Sequence, residues 1–274
     1  MHLGLFEPTV MYFRLMNSPT TFQAMMNNLF RDLINKGDVA TFINVLIATE
    51  TEEGHNKIVE EILRWLEEND LYVKPEKYVW KAREIGFLGV IMGPEGFQMG
   101  KEKVEGVMNW PTPQCVKDIQ KFLGLANYYQ QFVKDFARIT KPLHQLVRKD
   151  EKWKWGKEQK EVFAKLKEIF MTEPVLVTPD LDKEMRVEVD ALDYATGGVL
   201  SVKGEDRRWR LVAFISKSLN DTERNYEIHD KKMLAVIRCL EVWRHFLEGA
   251  RTKFKIWTDH KNLEYFMSNQ KLNR

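Results

Sequence analysis

The last third of the chain alternates between short apolar strands and one long amphipathic helix, and this order restricts the fold more than any other feature. The hydrophobic periodicity predicts strands at 185–190, 198–202 and 210–216, a helix at 221–248 and a strand at 252–258. Three strands, a helix and a further strand so close together predict a mixed sheet with the helix packed on one face.

The central segment, residues 101–170, is predicted to be a small basic helical module. It carries 15 Lys and Arg against 9 Asp and Glu, whereas the net charge of the whole chain is only +2. Two prolines at 111 and 113 disfavour a helix and predict an extended link. Helices are predicted at 118–136 and 158–170, with another element starting at Lys141 and Pro142. The predicted core face of the first helix comprises Ile119, Phe122, Ala126, Tyr129 and Phe132.

The first hundred residues mix strands with a helix. The β-branched run at 39–47 is predicted to be a single central strand, and 55–70 an amphipathic helix. A hairpin is predicted at 85–99, because the sequence Gly-Pro-Glu-Gly at 93–96 favours a tight turn.

Cysteine content and hydropathy indicate the compartment. Cys115 and Cys239 lie far apart and lack metal-ligand spacing, which favours free thiols in a reducing environment. The chain shows no signal peptide and no apolar run of the roughly 18 residues that a membrane span needs. We therefore expect an intracellular protein, cytoplasmic or nuclear, without membrane contact.

Several segments, in order, resemble the polymerase and RNase H part of gypsy-type LTR retrotransposon polyproteins. Residues 13–23 (FRLMNSPTTFQ) are similar to the palm motif F-G-L-x-N-A-P-x-x-F-Q, and 87–89 (FLG) to the entry of the primer grip. Residues 122–129 (FLGLANYY) resemble the thumb helix. Residues 189–194 (VDALDY) and 258–260 (TDH) resemble strands of the RNase H domain.

This resemblance implies an α+β fold in three parts. Residues 1–100 would form the C-terminal part of a reverse transcriptase palm, and 101–150 a thumb-like helical module. Residues 151–274 would form an RNase H-like domain, a mixed β-sheet with packed helices, truncated at its C-terminus. A reverse transcriptase fold by itself does not establish activity.

The resemblance implies that the polymerase site is degenerate. The family's Y-x-D-D turn, whose carboxylates hold two divalent cations, falls on Phe-Ile-Asn-Val at 42–45. Asn44 retains a neutral oxygen, although a turn-forming amide is the favoured interpretation of this residue, and Val45 offers no ligand. The third carboxylate belongs upstream, where the twelve residues before the palm motif contain no Asp. Arg14 replaces a glycine of that motif, either obstructing the pocket, contacting phosphate or lying on the surface. We expect no DNA polymerase activity.

The RNase H site is implied to be incomplete. Asp190 and Asp259 match two of the four carboxylates that hold two metal ions in the family, whereas Lys232 stands at the position of a helical Glu. The fourth carboxylate belongs to a segment beyond Arg274. His229 shares a helical face with position 232 and is either a weak ligand or a surface residue. We expect Mg²⁺ or Mn²⁺ to bind weakly, if it binds.

Basic and aromatic residues also suggest contact with nucleic acid. Lysines meet phosphates and tyrosines stack on bases or sugars. Tyr129 is expected in the core rather than at this surface, and Gln130 and Gln131 replace two arginines that the family often has. The predicted nucleic-acid-binding residues are Gln23, Phe87, Gly89, Lys117, Lys121, Tyr128 and Lys134.

Three functional hypotheses follow. The first is a retrotransposon-derived reverse transcriptase and RNase H remnant, a pseudoenzyme that binds an RNA–DNA hybrid or another nucleic acid weakly. The second is a domesticated, non-catalytic module that binds nucleic acid or a protein partner. The third is a weak metal-dependent RNase H built from Asp190, Asp259 and His229.

Overall fold

The structure is a computed structural model of the 274-residue chain. It describes residues 16–36, 39–41, 45–49, 51–149, 151–172 and 174–259. The chain divides into two compact units, residues 1–81 and 82–274. None of the described helices combines the length and apolar character needed to cross a bilayer.

The first unit packs helices on a small sheet. Its elements are α1 (Ser18–Leu29), α2 (Arg31–Lys36), β1 (Val39–Thr41), β2 (Val45–Ile47) and α3 (Glu52–Glu68), followed by a 3₁₀ turn at Pro75–Lys77. α3 begins three residues before the predicted start, because Thr51 caps it by accepting a hydrogen bond from the Gly54 N–H. The core contains Met26, Phe30, Leu33, Val39, Ile62 and Leu66.

The prediction of a single strand at 39–47 is wrong. β1 and β2 pair antiparallel with each other, with Val39 opposite Ile47 and Thr41 opposite Val45. A β-branched run of this length is long enough for two short strands, and their mutual pairing satisfies backbone groups that a lone strand would leave open.

The second unit opens with an antiparallel three-stranded sheet and four helices. The strands are β3 (Ile85–Phe87), β4 (Val90–Gly93) and β5 (Gly96–Met99), in the order β3-β4-β5. The helices are α4 (Lys101–Met108), α5 (Val116–Tyr128), α6 (Phe136–Leu146) and α7 (Lys157–Met171), with a 3₁₀ turn at Gln130–Phe132. The predicted core face of the first helix is confirmed, since Ile119, Phe122, Ala126, Tyr129 and Phe132 are all buried.

Two helix predictions in this segment are wrong. The helix predicted at 118–136 ends at Tyr128, and Asp135 adopts a left-handed conformation (φ 57°) just before α6 begins. Pro142 lies inside α6 and does not start a new element. Proline forfeits a helical hydrogen bond, but Pro142 is buried, and burial offsets part of that loss.

The remainder forms a four-stranded mixed sheet covered by a helix, as predicted. The strands are β6 (Met185–Leu192), β7 (Ala195–Lys203), β8 (Trp209–Ser218) and β9 (Lys255–Trp257), in the order β8-β7-β6-β9. β6 runs antiparallel to β7 and parallel to β9, with Val187 opposite both Leu200 and Ile256.

The prediction of one continuous helix at 221–248 is wrong, because the structure has three shorter helices in this range. These are α8 (Asp221–Arg224), α9 (Ile228–Val242) and α10 (Arg244–Leu247). Glu227 adopts an extended backbone (ψ 161°), which interrupts the helical hydrogen bonds between α8 and α9. α9 packs on β6 and β7 through Ala235 and Cys239.

One short segment connects the two sheets of the second unit. The Leu176 backbone pairs antiparallel with Phe97 of β5, and the Val177 N–H donates to the Leu211 carbonyl of β8 at 2.8 Å. Gly96 has φ 130°, and a Cβ on it would collide with the Leu176 carbonyl. Glycine is therefore required at position 96.

Candidate functional site

Two aspartates lie at one edge of the four-stranded sheet. β6 alternates between core and surface, so Val187 and Val189 are buried while Asp190 points outward. Asp259 follows β9, which is parallel to β6 and adjacent to it, so the two strands end at the same edge. The side chains of both aspartates are more than half exposed. They line an open groove with Glu188, Val189, Trp257 and Thr258.

Helix α9 delivers Lys232 to these aspartates. The Lys232 side chain is only 6% exposed, yet its ammonium nitrogen contacts Asp259 Oδ1 and lies 4.0 Å from Asp190 Oδ1. Its aliphatic stem is therefore enclosed while the charged end reaches the groove. The position that the resemblance assigns to a metal-binding glutamate is occupied by a cation.

These residues do not fit a divalent metal ion. Mg²⁺ requires several oxygen ligands, and the Lys232 ammonium repels a second cation placed between the same carboxylates. Glu188 is engaged elsewhere, because its Oε1 lies 2.5 Å from Arg186 Nη2. Within the described ranges, no group of three or more His, Cys, Asp or Glu residues is arranged to hold a metal.

His229 lies in a different environment from Lys232. Its ring nitrogens are 3.5 Å from Glu227 Oε2 and 3.6 Å from Asp230 Oδ1, both in its own helical turn. The structure brings Lys232, and not His229, to Asp190 and Asp259.

The polymerase positions can be described only in part. Val45 is the first residue of β2, opposite Thr41, and packs against the apolar core of the first unit. Its side chain has no oxygen for a metal. Asn44 and Arg14 lie outside the described residues.

Two consecutive tyrosines hold the turn between β3 and β4. Tyr129 is 1% exposed, and its hydroxyl donates to the Gly89 carbonyl at 3.0 Å. Tyr128 is 56% exposed, and its hydroxyl donates to the Leu88 carbonyl at 2.5 Å. Leu88 and Gly89 have φ values of 50° and 82°. The structure therefore joins Tyr128 and Gly89, which are distant in sequence, at one surface.

Three predicted nucleic-acid-binding residues share one face of α5. Lys117, Lys121 and Tyr128 are exposed, and their spacing of four and seven residues places them within about 40° of arc. Lys121 Nζ is 3.9 Å from Asp118 Oδ1. The two lysines and the tyrosine form a basic and aromatic stripe, which we call the α5 stripe.

The other predicted binding residues do not belong to the α5 stripe. Phe87 is half-buried at the end of β3, next to the turn held by the tyrosines, and Lys134 is exposed before α6. Gln23 belongs to the first unit, where its Nε2 donates to Asn27 Oδ1 at 2.8 Å.

An aromatic and cationic cluster beside the groove was missed by sequence reasoning. Trp257 lines the groove, and the Arg186 guanidinium lies 5.3 Å from its ring centroid and 4.4 Å from that of Trp209. Two residues before Arg186 in the chain, Glu184 accepts hydrogen bonds from Lys203 and Lys255, and these bonds lower its pKa to about 2. These residues are far apart in sequence, so no local motif marks them.

A largely buried ion pair that joins α9 to α8, together with a hydrogen bond from the same arginine to β7, was also missed. Arg238 Nη2 lies 2.7 and 2.8 Å from the two Glu223 carboxylate oxygens, and Nη1 donates to Thr196 Oγ1 at 2.9 Å. A backbone hydrogen bond from Asn220 and then Arg238 itself keep the Glu223 pKa below its usual value. The Asn220-x-x-Glu223 spacing of a capping box was the available signal.

Comparison with known families covers most of the chain in two segments. Residues 3–92 match the reverse transcriptase (RNA-dependent DNA polymerase) family. Residues 155–256 match the RNase H-like domain found in reverse transcriptase.

Curated relatives match nearly the whole chain. The transposon Tf2-7 polyprotein of Schizosaccharomyces pombe (strain 972) is 34% identical over 260 residues, and the Tf2-3 polyprotein of the same strain is 33% identical. Each alignment covers 95% of this chain and 20% of the relative. The chain thus spans about one fifth of the length of the curated relatives it matches.

Solved structures share the fold. The foamy viral protease-reverse transcriptase in complex with RNA/DNA hybrid matches with a TM-score of 0.76 at 21% identity, covering 94% of this chain and 35% of that one. The same viral protein in complex with dsDNA matches with a TM-score of 0.77 at 21% identity, covering 94% and 53%. The domain matches and the transposon relatives together show that the chain consists of a reverse transcriptase segment followed by an RNase H-like domain, similar to those of retrotransposon polyproteins.

Proposed function

We propose that the chain is a gypsy-type reverse transcriptase and RNase H derivative that binds an RNA–DNA hybrid and catalyses neither polymerisation nor hybrid cleavage. The observation that carries this proposal is the Lys232 ammonium group, which contacts Asp259 and lies 4.0 Å from Asp190. A nuclease of this class needs metal ions at these carboxylates to generate the attacking hydroxide.

The proposed loss of polymerase activity rests on Val45. Two-metal polymerases stabilise the attacking and leaving oxygens through carboxylate-bound cations, and an isopropyl side chain offers no ligand. The two losses lie in separate compact units of the chain, so one substitution does not account for both.

The proposed binding surface is the α5 stripe with the adjoining β3–β4 turn. Lys117 and Lys121 supply positive charge for phosphates, and Tyr128 presents an exposed ring beside the Gly89 turn. The fold relatives in complex with RNA/DNA hybrid and with dsDNA support nucleic acid as the ligand class. Gln23, Phe87 and Lys134 are proposed as further contacts.

In this proposal the chain keeps the family's order of parts. Residues 1–100 act as palm, 101–150 as thumb, and 151–274 as the RNase H-like domain. Cys115 and Cys239 are both free thiols, which supports an intracellular location, cytoplasmic or nuclear.

Catalysis is tested with a labelled RNA–DNA hybrid and a primed template, each with Mg²⁺ and then Mn²⁺. We expect neither cleavage nor primer extension by the purified chain. Cleavage that disappears in the Asp190→Asn variant would refute the proposal and favour a weak metal-dependent RNase H instead.

Binding is tested by fluorescence anisotropy of the hybrid across a salt series. Each lost phosphate contact flattens the slope of log K against log salt by about one unit. The double variant Lys117→Ala/Lys121→Ala is expected to lower affinity and to flatten the slope by about two. The matched control Lys157→Ala/Lys160→Ala changes two exposed lysines of α7 and should leave the slope unchanged. Absence of saturable hybrid binding would favour a domesticated module with a protein partner.

A further inference from the structure

We propose that the Lys232 ammonium replaces a divalent cation as the permanent counter-charge of Asp190 and Asp259, so that the RNase H-like domain is stable without metal. The inference rests on the proposed function only in treating the two aspartates as the remnant of a metal site. It adds a structural role for Lys232 that the loss of catalysis does not require.

The first argument is geometric. Asp190 lies near the C-terminal end of β6, and Asp259 lies two residues beyond the end of the adjacent parallel strand β9, so their negative charges face one groove. The Lys232 ammonium contacts one carboxylate and lies 4.0 Å from the other. A single positive group thus lies near both carboxylates and offsets their negative charge, as a bound metal ion would.

The second argument is burial. The Lys232 side chain on α9 is only 6% exposed, whereas Lys157, an ordinary surface lysine of α7, has a side chain that is 91% exposed. Because the stem is enclosed, the ammonium cannot leave the groove without exposing apolar surface. The cation is therefore tethered, and a dissolved metal ion has to compete with it at every concentration.

The neighbouring lysine provides an internal control. Lys231 has a side chain that is 8% exposed, and its ammonium lies 3.3 Å from Asp193 Oδ1, outside the groove. Lys231 and Lys232 therefore lie on the same helix, are similarly buried and carry the same charge. They differ only in which carboxylates their ammonium groups contact.

The experiment compares thermal unfolding of the full chain in EDTA and in millimolar MnCl₂, without nucleic acid. We expect the Tm of the native chain to be the same in both. Lys232→Glu should melt lower in EDTA, because three carboxylates then face one another, and should regain roughly 5 °C or more with Mn²⁺. Lys231→Glu should also melt lower in EDTA, but without a comparable response to Mn²⁺.

A second variant covers the case in which Lys232→Glu does not fold. Lys232→Met keeps the length of the stem and removes only the charge, and Mn²⁺ binding is followed by the loss of the free-ion EPR signal. We expect this variant to retain Mn²⁺ and the native chain to retain none. Metal stabilisation of the native chain, an equal response of the two glutamate variants, or no binding by Lys232→Met would each overturn the inference. This experiment measures neither binding nor cleavage of a hybrid. A failure of this inference is therefore distinguishable from a failure of the proposed function.

Discussion

Replacing Arg238 with methionine tests how α9, the helix that carries Lys232, is held against α8 and β7. Two Arg–Glu ion pairs among the described residues have the same shortest distance. Arg238 and Glu223 approach to 2.7 Å with side chains that are 8% and 16% exposed, and Arg244 and Glu248 approach to 2.7 Å with side chains that are 71% and 65% exposed. The two pairs match in chemistry and distance and differ in burial.

The expected magnitudes follow from that difference. Removing one partner of a buried pair costs about 3–5 kcal/mol, because the other charge is left uncompensated. Glu223 keeps the hydrogen bond from the Asn220 N–H at 2.8 Å, so we expect the lower end, about 3 kcal/mol. The exposed pair contributes much less, because water and salt screen its charges. For a cooperative unit spanning residues 82–274, about 3 kcal/mol corresponds to a Tm loss of about 6–12 °C, and we expect a far smaller loss for Arg244→Met.

The assay is thermal unfolding of Arg238→Met and Arg244→Met, followed by circular dichroism at neutral pH. A double-mutant cycle with Glu223→Gln separates the energy of the pair from the loss of the Thr196 hydrogen bond. Equal losses in the two single variants would refute the argument, because burial would then have no influence on the energy of the ion pair.

Three further predictions concern the same unit. Gly96→Ala should lower the Tm by several degrees, because residue 96 has a positive φ and lies close to the Leu176 carbonyl. The control Gly86→Ala should change the Tm far less, because its added methyl group would meet no atom within 4 Å. The pKa of Glu184 is lowered to about 2 in the folded chain, so its contribution to stability is present above about pH 4.5 and is lost as the pH falls toward 2. The Tm difference between the native chain and Glu184→Gln should therefore shrink as the pH falls over that range. Burial raises the pKa of the Cys239 thiol to about 12, whereas Cys115 is exposed. A thiol reagent should therefore modify only Cys115 in the native chain and both cysteines in denaturant. Modification of both cysteines in the native chain would contradict the burial of Cys239.

Hydrophobic periodicity predicted the buried face of an element correctly where one period applied along the whole element. The core face of α5, with Ile119, Phe122 and Ala126, was predictable because helical spacing repeats over its full length. The burial of Tyr129 was predictable for the same reason. The alternation of short strands with a helix in the last third predicted a mixed sheet, but the strand order came only from the structure. Boundaries were less predictable, since the backbone of Glu227 and Asp135 ends or separates helices without a strong residue signal.

The sequence by itself determined the residue types at the candidate site. Val45 and Lys232 stand where the resemblance implies metal ligands, and neither can serve as one whatever the fold around it, because neither an isopropyl group nor an ammonium donates an electron pair to a metal ion at neutral pH. Helical spacing alone left both His229 and Lys232 able to face the aspartates.

Tertiary structure decided which side chains meet. It directed Lys232 to Asp190 and Asp259, placed His229 beside its own helical neighbours, and joined Tyr128 to the turn at Gly89. It also paired 39–41 with 45–47 where one strand was equally consistent with the pattern. Such contacts depend on how α9 and α5 pack against sheets formed from distant segments. Residue spacing within one element therefore does not determine them, because the energy of packing and ion pairing arises only when those segments come together.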